Sequence, residues 1–345
     1  MQETMEFAKE LQTVARELVA EGKGILAADE STPTLTKRFD KLGIQSTEDT
    51  RRTYRELFFT TPGANDAVSG VILYDETIRQ SAGDGTPFPQ LLERQSMMPG
   101  IKVDTGAKQL ANSPGEKITE GLDGLRERLG EYKELGAKFA KWRAVITIGD
   151  ATPTRYCLET NAHALARYAA LCQEAGIVPI VEPEVLMDGP HSIERCYEVT
   201  EATLHTVFDQ LFAQRVMLEG ILLKPNMVIS GTECSTQADV QTVAEATLRC
   251  LRTTVPASVP GIVFLSGGQS DELATEHLDA MNRIGAAPWE LSFSYGRALQ
   301  APALKLWKGE ESNFKAAQEA YALRAKMNSL ARFGKYSRDM ESAPA

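Results

Sequence analysis

The 345-residue sequence predicts an α/β fold, a (β/α)8 or TIM barrel, from three observations. Eight apolar runs of strand length alternate with helical patterns, which indicates parallel βαβ units. Eight such units are the number that closes a barrel. Polar residues stand at the C-terminal end of nearly every run, where barrel enzymes hold their chemistry. An open, doubly wound sheet is the alternative, and the placement of the polar residues favours the barrel.

The predicted elements follow one another without a linker, an internal repeat or a low-complexity stretch. Helical spacing first appears near the N-terminus, in Leu11, Val14, Ala15, Leu18 and Val19. The strand-like runs are 24–29, 68–75, 99–104, 139–146, 177–184, 220–226, 261–268 and 290–297. Helical patterns cover 122–135, 162–175, 193–214, 236–254, 271–283 and 313–333. We therefore expect residues 1–336 to form a single barrel with an N-terminal and a C-terminal helix, followed by a loose tail at 337–345.

Composition and charge exclude several classes of protein. The formal net charge is −10 and the pI is about 5.1, so the surface repels nucleic acid and anionic membranes. A small anionic substrate needs only a local basic pocket and is not excluded. No signal peptide is evident, and no run approaches the roughly 20 apolar residues of a membrane span. The five cysteines form no C-x-x-C pair, which is typical of reduced thiols in a cytoplasmic protein.

Charged residues interrupt the apolar runs that should form the barrel. They are Asp29, Lys102, Asp104, Lys141, Arg143, Glu182, Glu184 and Lys224. Because side chains two apart on a strand share a face, pairs such as Lys141 and Arg143 should point together into the barrel mouth. A structural ion-pair network is the alternative, but buried charges are often no better than apolar substitutes. The density of the cluster therefore favours a catalytic role.

The lysines of this cluster suggest imine chemistry. A neutral lysine attacks a carbonyl to form an imine, which then accepts electrons. Because a free lysine has a pKa of about 10.4, it needs desolvation or a neighbouring cation to supply free amine near pH 7. Lys141 could be that cation for Lys224, which has the most apolar sequence neighbours of the three lysines, although spacing alone leaves the nucleophile open. Glu182 and Asp29 are the candidates for proton transfer.

The ends of the last two strand-like runs predict a phosphate site. The sequence Ser-Gly-Gly follows one run and Ser-Tyr-Gly-Arg ends the other, each just before a helix. Barrel phosphate sites are often built from the loops after strands seven and eight, by backbone N–H groups and a helix N-terminus. An ordinary turn is the alternative for Ser-Gly-Gly alone. The predicted phosphate-binding residues here are Ser266, Gly267, Gly268, Ser294, Gly296 and Arg297.

A second basic patch follows the first strand-like run. Its residues are Ser31, Thr34, Lys37 and Arg38, and a solvated helix face is the alternative for the two cations. Two anion sites that flank one lysine cluster would fit a sugar bisphosphate. The four histidines show no H-x-x-x-H spacing, so we predict neither a metal site nor any other cofactor.

Seven motifs resemble those of class I fructose-bisphosphate aldolases of the animal and plant type. They are GKGILAADES (22–31), GIKVD (100–104), AKWR (140–143), VPIVEPE (178–184), LLKPNM (222–227), FLSGGQS (264–270) and SYGRALQ (294–300). The resemblance covers residues 6–336. It implies a metal-independent lyase of glycolysis and gluconeogenesis, which reversibly cleaves fructose 1,6-bisphosphate to dihydroxyacetone phosphate and glyceraldehyde 3-phosphate. It also implies a homotetramer.

The resemblance also implies roles for individual residues. Lys224 would form the Schiff base, Glu182 would serve as acid and base in dehydration, and Asp29 would transfer a proton at the cleaved bond. Lys141 would position substrate and tune the amine, and Glu184 would orient both lysines. The phosphate of the dihydroxyacetone half would lie on Ser266, Gly267 and Arg297. The other phosphate would lie near Ser31, Arg38 and Lys102. Thr34 and Arg143 are further candidates for substrate or phosphate binding.

Two departures from the family pattern and two rival interpretations stay open. Pro33-Thr34 stands where the family usually has Gly-Ser. The sequence ends at Ala345 without the terminal tyrosine that assists proton transfer in the family, so we expect slower proton exchange on the enamine, or exchange through water or a carboxylate. One rival is another Schiff-base enzyme, such as a transaldolase, a deoxyribose-phosphate aldolase or an aldolase preferring sedoheptulose bisphosphate or fructose 1-phosphate. The other is a non-catalytic scaffold.

Overall fold

The computed structural model describes residues 7–342, and its strands form a closed barrel. The strands, numbered in chain order, are β1 (Gly24–Ala28), β2 (Val68–Leu73), β3 (Met98–Lys102), β4 (Gly106–Gln109), β5 (Lys117–Glu120), β6 (Phe139–Ile146), β7 (Val178–Val185), β8 (Leu222–Leu223), β9 (Gly261–Phe264) and β10 (Glu290–Tyr295). All except β4 and β5 pair in parallel around the barrel, and β10 closes onto β1. The predicted (β/α)8 fold is confirmed.

Helices surround the barrel. They are α1 (Ala8–Leu18), α2 (Thr32–Asp40), α3 (Glu48–Phe59), α4 (Asp75–Ile78), α5 (Phe88–Arg94), α6 (Leu125–Glu134), α7 (Arg155–Glu174), α8 (Ile193–Ala213), α9 (Val240–Thr254), α10 (Asp271–Ile284), α11 (Arg297–Trp307) and α12 (Phe314–Arg332). The six internal helical patterns and the N-terminal one correspond to α6–α10, α12 and α1. In the described part of the chain, no helix has the length and apolarity needed to cross a membrane.

The floor of the barrel is apolar and tightly packed. Leu11 and Leu18 of α1 and the adjacent Val19 pack with Phe139 and other inward side chains from the strands. The Phe139 ring occupies the space beside Gly100, where an added Cβ would lie 2.3 Å from its carbons. The barrel interior therefore has room for this ring only because residue 100 has no side chain. The strands open towards solvent at the opposite, C-terminal end.

The strand registers bring the predicted charges to one level at that end. Lys102 on β3 is paired with Lys141 on β6, and Arg143 on β6 is paired with Glu182 on β7. Strand β8 is shorter than the predicted run 220–226, because Pro225 has no N–H to continue the ladder. The Lys224 N–H still donates to the Val181 carbonyl at 2.8 Å, which holds Lys224 at the barrel rim.

Two regions differ from the prediction. The antiparallel hairpin β4–β5 was not predicted, because its mostly exposed strands lack the apolar alternation that marks a half-buried strand. The tail was predicted to be loose, yet Arg338–Ser342 forms a turn of 3-10 helix. Its Glu341 pairs with Arg324 of α12 and accepts a hydrogen bond from the Tyr336 hydroxyl at 2.9 Å. Residues 343–345 lie outside the described part.

Candidate active site

A cavity of about 390 Å³ opens at the C-terminal end of the strands. Most of the residues predicted for catalysis or anion binding line it: Asp29, Ser31, Thr34, Arg38, Lys102, Lys141, Arg143, Glu182, Glu184, Lys224, Ser266, Gly267, Gly268, Ser294, Gly296 and Arg297. Lys37 of the predicted second basic patch is exposed and does not line the cavity. Six of the side chains around it are cationic and five are anionic. The cavity is therefore slightly positive in a chain whose net charge is −10.

Lys141 lies among three carboxylates. Its Nζ is 2.7 Å from Asp29 Oδ2, 3.4 Å from Glu182 Oε2 and 4.0 Å from Asp104 Oδ2. Burial alone would lower its pKa, but the charges of Asp29, Glu182 and Asp104 more than offset burial and hold the pKa well above its ordinary value. Lys141 is therefore a fixed cation near neutral pH and a poor nucleophile.

Lys224 is also buried but is less strongly paired. Its Nζ has one carboxylate partner within 4.0 Å in residues 7–342, Glu182 Oε1 at 3.2 Å. Lys102 differs again, because its Nζ donates to the Asp104 carbonyl oxygen and also lies 2.9 Å from Oδ1 of that residue. Of the three lysines in the cavity, Lys224 has an amine that is both buried and held by a single carboxylate.

Asp29 and Glu182 connect the lysines. One Glu182 oxygen lies 3.2 Å from Lys224 Nζ and the other lies 3.4 Å from Lys141 Nζ, so this carboxylate stands between the two amines. Burial would raise the pKa of Asp29, but Lys141, Lys224 and Lys102 more than offset it and hold the pKa far below its ordinary value. Asp29 is therefore ionised near neutral pH, the form that a proton acceptor requires.

The loop after β9 contains backbone N–H groups that have no hydrogen-bond acceptor within the described residues. Gly267 and Gly268 have φ values of +55° and +76°, a backbone shape that favours glycine. Within residues 7–342, the N–H groups of Ser266, Gly267 and Gly268 donate to no protein acceptor. Arg297, at the start of α11, faces this loop, because a Cβ added to Gly268 would lie 3.2 Å from Arg297 Nη2. Free backbone N–H groups and a facing arginine are the groups that commonly bind an anion.

The second anion region, after β1, is built from cations that already have partners. Arg38 Nη1 donates to Glu30 Oε1 at 2.6 Å, and its side chain is 28% exposed. Ser31 and Thr34 share a hydrogen bond of 3.0 Å beside it. Thr34 is thus present as a hydroxyl in the cavity wall, although Pro33 precedes it in the first turn of α2.

Comparison with known proteins identifies the family. A family model described as glycolytic fructose-bisphosphate aldolase class-I matches residues 10–345. The chain belongs to the class I fructose-bisphosphate aldolase family. The resemblance seen in the motifs is therefore confirmed, and the chain is a lyase of this class.

Relatives cover nearly the whole aldolase chain. A probable fructose-bisphosphate aldolase class 1 from Xanthomonas campestris pv. campestris is 60% identical over 95% of this chain and 98% of its own length. The cytosolic fructose-bisphosphate aldolase 6 of Arabidopsis thaliana is 53% identical over 97% and 94%. The solved structure of the Plasmodium falciparum fructose-bisphosphate aldolase, in complex with TRAP and a small-molecule inhibitor, superposes with a TM-score of 0.95. It is 50% identical, with 96% of each chain covered.

Glu184 in this aldolase does not occupy the position that its predicted role requires. It was expected to orient Lys141 and Lys224, but its Oε2 pairs with Arg143 Nε. Neither lysine has a Glu184 oxygen within 4.0 Å in the described part of the chain. The register explains the difference, since Glu184 lies two residues beyond Glu182 along β7, further from the barrel floor and next to Val145 on β6.

Sequence reasoning missed several cavity residues of the aldolase. Glu30 lines the cavity and its side chain is only 6% exposed. Its Oε2 accepts from the buried Arg55 at 2.6 Å, and its Oε1 accepts from Gln300 Nε2 at 2.9 Å. Asp104 was noted among the strand charges but received no role, although it contacts both Lys102 and Lys141. For Glu30, the available signal was its position directly after Asp29 at the end of a strand.

Tyr336 is remote from the cavity of the aldolase. Its hydroxyl donates to Glu341 and its N–H donates to Asp279 at 2.8 Å, between α10 and α12. The expectation of altered proton exchange on the enamine stays a prediction.

Proposed function

We propose that Lys224 is the residue that forms the Schiff base with the substrate ketone. The observation that carries this assignment is the difference among the three lysines. Lys141 contacts three carboxylates and is held as a cation, and Lys102 is tied to Asp104, whereas Lys224 has one carboxylate partner. Lys224 is also buried, in an apolar strand context.

The proposed reaction begins with attack of the Lys224 amine on C2 of the ketose. Glu182 takes a proton from the Lys224 nitrogen as the amine attacks and later donates it to the departing carbinolamine hydroxyl, so water leaves and an iminium forms. Asp29 then accepts the proton of the C4 hydroxyl. The C3–C4 bond breaks, its electron pair moves into the iminium to give an enamine, and glyceraldehyde 3-phosphate leaves. Protonation at C3 and hydrolysis of the imine release dihydroxyacetone phosphate and restore the amine.

The two anion regions fix the orientation of the substrate in this proposal. The C1 phosphate lies on the N–H groups of Ser266–Gly268 and on Arg297, and the C6 phosphate lies near Arg38 and Lys102. Ser294 and Gly296 form the wall between the two regions. The Ser294 hydroxyl is buried without a protein partner in the described residues, so it is available to a substrate hydroxyl. Arg143 is held by Glu184 at the rim.

Further proposals concern the context of the enzyme. We propose that residues 1–336 act as one folding unit, that the protein is cytoplasmic and that it assembles as a tetramer. The cysteine pattern and the cytosolic Arabidopsis relative support the cytoplasmic location. Light scattering of the purified protein would test the assembly, and a monomer mass would contradict it.

Borohydride trapping tests the assignment of Lys224. Reduction in the presence of fructose 1,6-bisphosphate should inactivate the enzyme and leave a stable adduct, which peptide mass spectrometry should locate on Lys224. Lys224→Met should show no adduct and should lose activity by on the order of 10⁴-fold or more, as removal of a catalytic nucleophile does.

Two controls accompany the trapping. Lys141→Met should still be trapped on Lys224, although more slowly. Prior incubation with EDTA should change neither trapping nor rate, because the imine on Lys224 takes the role of electron sink. Trapping on Lys141 or Lys102, or activity that EDTA abolishes and borohydride does not, would overturn the proposal.

A further inference from the structure

The Gln269 side chain supports the loop that is proposed to receive the C1 phosphate. The Gln269 side chain folds back, and its Nε2 donates to the Ser266 carbonyl oxygen at 2.9 Å. The Gln269 backbone N–H donates to the same oxygen at 3.0 Å. These two bonds close the turn that contains Gly267 and Gly268. The shape of the loop therefore depends on where the Gln269 amide is held.

His277 holds that amide. It lies on α10, two turns after Gln269, and its side chain is almost fully buried. Its Nδ1 lies 2.5 Å from Gln269 Oε1. Because the Ser266 carbonyl can only accept, the amide nitrogen must face Ser266 and the amide oxygen must face the ring. His277 Nδ1 must therefore carry the proton in this contact.

The other ring nitrogen of His277 should destabilise the fold, so the hydrogen bond from Nδ1 to Gln269 must offset that loss. Nε2 is buried and has no hydrogen-bond partner in residues 7–342. Burial lowers the pKa of His277 to about 4, so the ring is neutral near pH 7. An unpartnered buried polar atom normally destabilises a fold, and an apolar residue would fill the same space without that cost.

We propose that His277 is a positioning residue for substrate binding: it fixes Gln269, and Gln269 fixes the Ser266–Gly268 turn in the shape that receives the C1 phosphate. This inference rests on the proposed function of that loop. His277 touches neither the reacting carbon nor the phosphate, so its effect is on affinity. The three loop N–H groups converge on the anion only while the turn is closed.

The test replaces the ring while preserving or removing its donor. Leucine at position 277 removes the donor, whereas asparagine places an amide nitrogen close to the position of Nδ1. For His277→Leu we expect the KM for fructose 1,6-bisphosphate and the inhibition constant of dihydroxyacetone phosphate to rise about tenfold, as the loss of a hydrogen bond with a buried partner predicts. The value of kcat should change less than about twofold, since the interaction is uniform between substrate and transition state. His277→Asn should restore both constants.

Gln269→Met gives an independent route to the same result, also if His277→Leu folds poorly. It removes the bond to Ser266 at similar volume and should raise KM by a similar factor. The double variant His277→Leu/Gln269→Met should be no worse than either single variant, because the two residues act in series.

Thr275→Val is the matched structural control. Thr275 is buried on the same helix and hydrogen-bonds Asn328 and Arg324, away from the loop. We expect it to lower thermal stability without raising KM. A wild-type KM in folded His277→Leu, a His277→Asn variant as weak as His277→Leu, or an equal rise in Thr275→Val would each overturn the inference.

Arg297→Met separates this inference from the proposed function. If Arg297→Met weakens binding and His277→Leu does not, only the positioning role fails. If neither variant weakens binding, the assignment of the C1 phosphate to this loop fails, and the positioning role fails with it.

Discussion

The two proposed anion regions of the cavity differ in whether their donors already have protein partners. The region after β9 offers backbone N–H groups and Arg297, none of which has a protein acceptor in residues 7–342. The region after β1 offers Arg38 and Lys102, which are already paired with Glu30 and Asp104. The region after β9 can bind an anion with donors that are free. In the region after β1, a phosphate would have to replace a carboxylate as the partner of Arg38 or Lys102.

This difference predicts that the region after β9 contributes mainly to affinity and the region after β1 mainly to selectivity. Free donors that are held in place bind an anion without first breaking a protein contact. Paired cations gain less, because the phosphate replaces a carboxylate that was already bound. We therefore expect the C1 phosphate to contribute most of the affinity. The C6 phosphate should contribute less and should distinguish a bisphosphate from a monophosphate.

The largest expected effect comes from removing the carboxylate that organises the second region. Glu30→Gln leaves the buried Arg55 without its ion-pair partner. Breaking a buried pair on one side costs roughly 3 kcal/mol or more, and chemical denaturation should show a loss of that size in the free energy of unfolding. Glu174→Gln is the control, because its pair with Arg126 is exposed and should cost less than about 1 kcal/mol. Equal losses would show that Glu30 does not organise the region.

Glu30 also predicts a pH dependence of stability. Burial would raise its pKa, but Arg55 and Arg38 more than offset burial and hold the pKa below its ordinary value. A lowered folded-state pKa stabilises the fold above the unfolded pKa of about 4.3, and the stabilisation is lost as pH falls through the folded-state value. The melting temperature should therefore fall less below about pH 4.3 in Glu30→Gln than in the original chain. Parallel curves for the two proteins would contradict this.

The second effect concerns the free donors. Arg297→Met removes a charge-assisted contact worth up to about 3 kcal/mol, so kcat/KM should fall by up to about 100-fold. Because both substrates carry a C1 phosphate, the fall should be the same for fructose 1,6-bisphosphate and fructose 1-phosphate. Steady-state kinetics with the two sugars would check this. A loss confined to the bisphosphate would reverse the assignment of the two phosphates.

The smallest effect is expected at the paired cation. Arg38→Met should raise the KM for fructose 1,6-bisphosphate by about tenfold, since part of the arginine charge is already taken by Glu30. Fructose 1-phosphate lacks the second phosphate, so its KM should stay within about twofold. A loss as large as that of Arg297→Met would remove the distinction between the two regions.

The barrel was predictable because its signal is periodic and apolar. The eight strand-like runs and the charges within them define both the fold and the residues that line the cavity. Helices α3, α4 and α5 were not predicted, and α5 begins beside prolines, which read as a break in a helical pattern. Helices α2 and α11 were expected only as helical segments without bounds, beside the two predicted anion sites. The hairpin β4–β5 was missed because polar, exposed strands carry no such pattern. Its register depends on pairing, which spacing does not reveal.

Which residues line the cavity was more predictable than which charged residues pair with each other. Spacing along a strand shows which face Lys141, Glu182 and Glu184 share, but the partner of each charge depends on neighbouring strands. Glu184 was therefore expected at the lysines and lies at Arg143. Glu30 lies beyond the end of β1, so the alternation of side chains along a strand gives no indication of where it points.

The nearly balanced charge of the cavity has a consequence for the order of events after cleavage. A bisphosphate carries a charge of about −4 near pH 7, so the occupied cavity is anionic by about three charges. Before cleavage, the covalent chain of the sugar holds the two phosphates together against this excess. In the proposed binding mode, once the C3–C4 bond has broken, glyceraldehyde 3-phosphate is held only by Arg38 and Lys102, which can pair again with Glu30 and Asp104. Mutual repulsion and the re-formed ion pairs then favour its departure first, while the enamine keeps the other half in place.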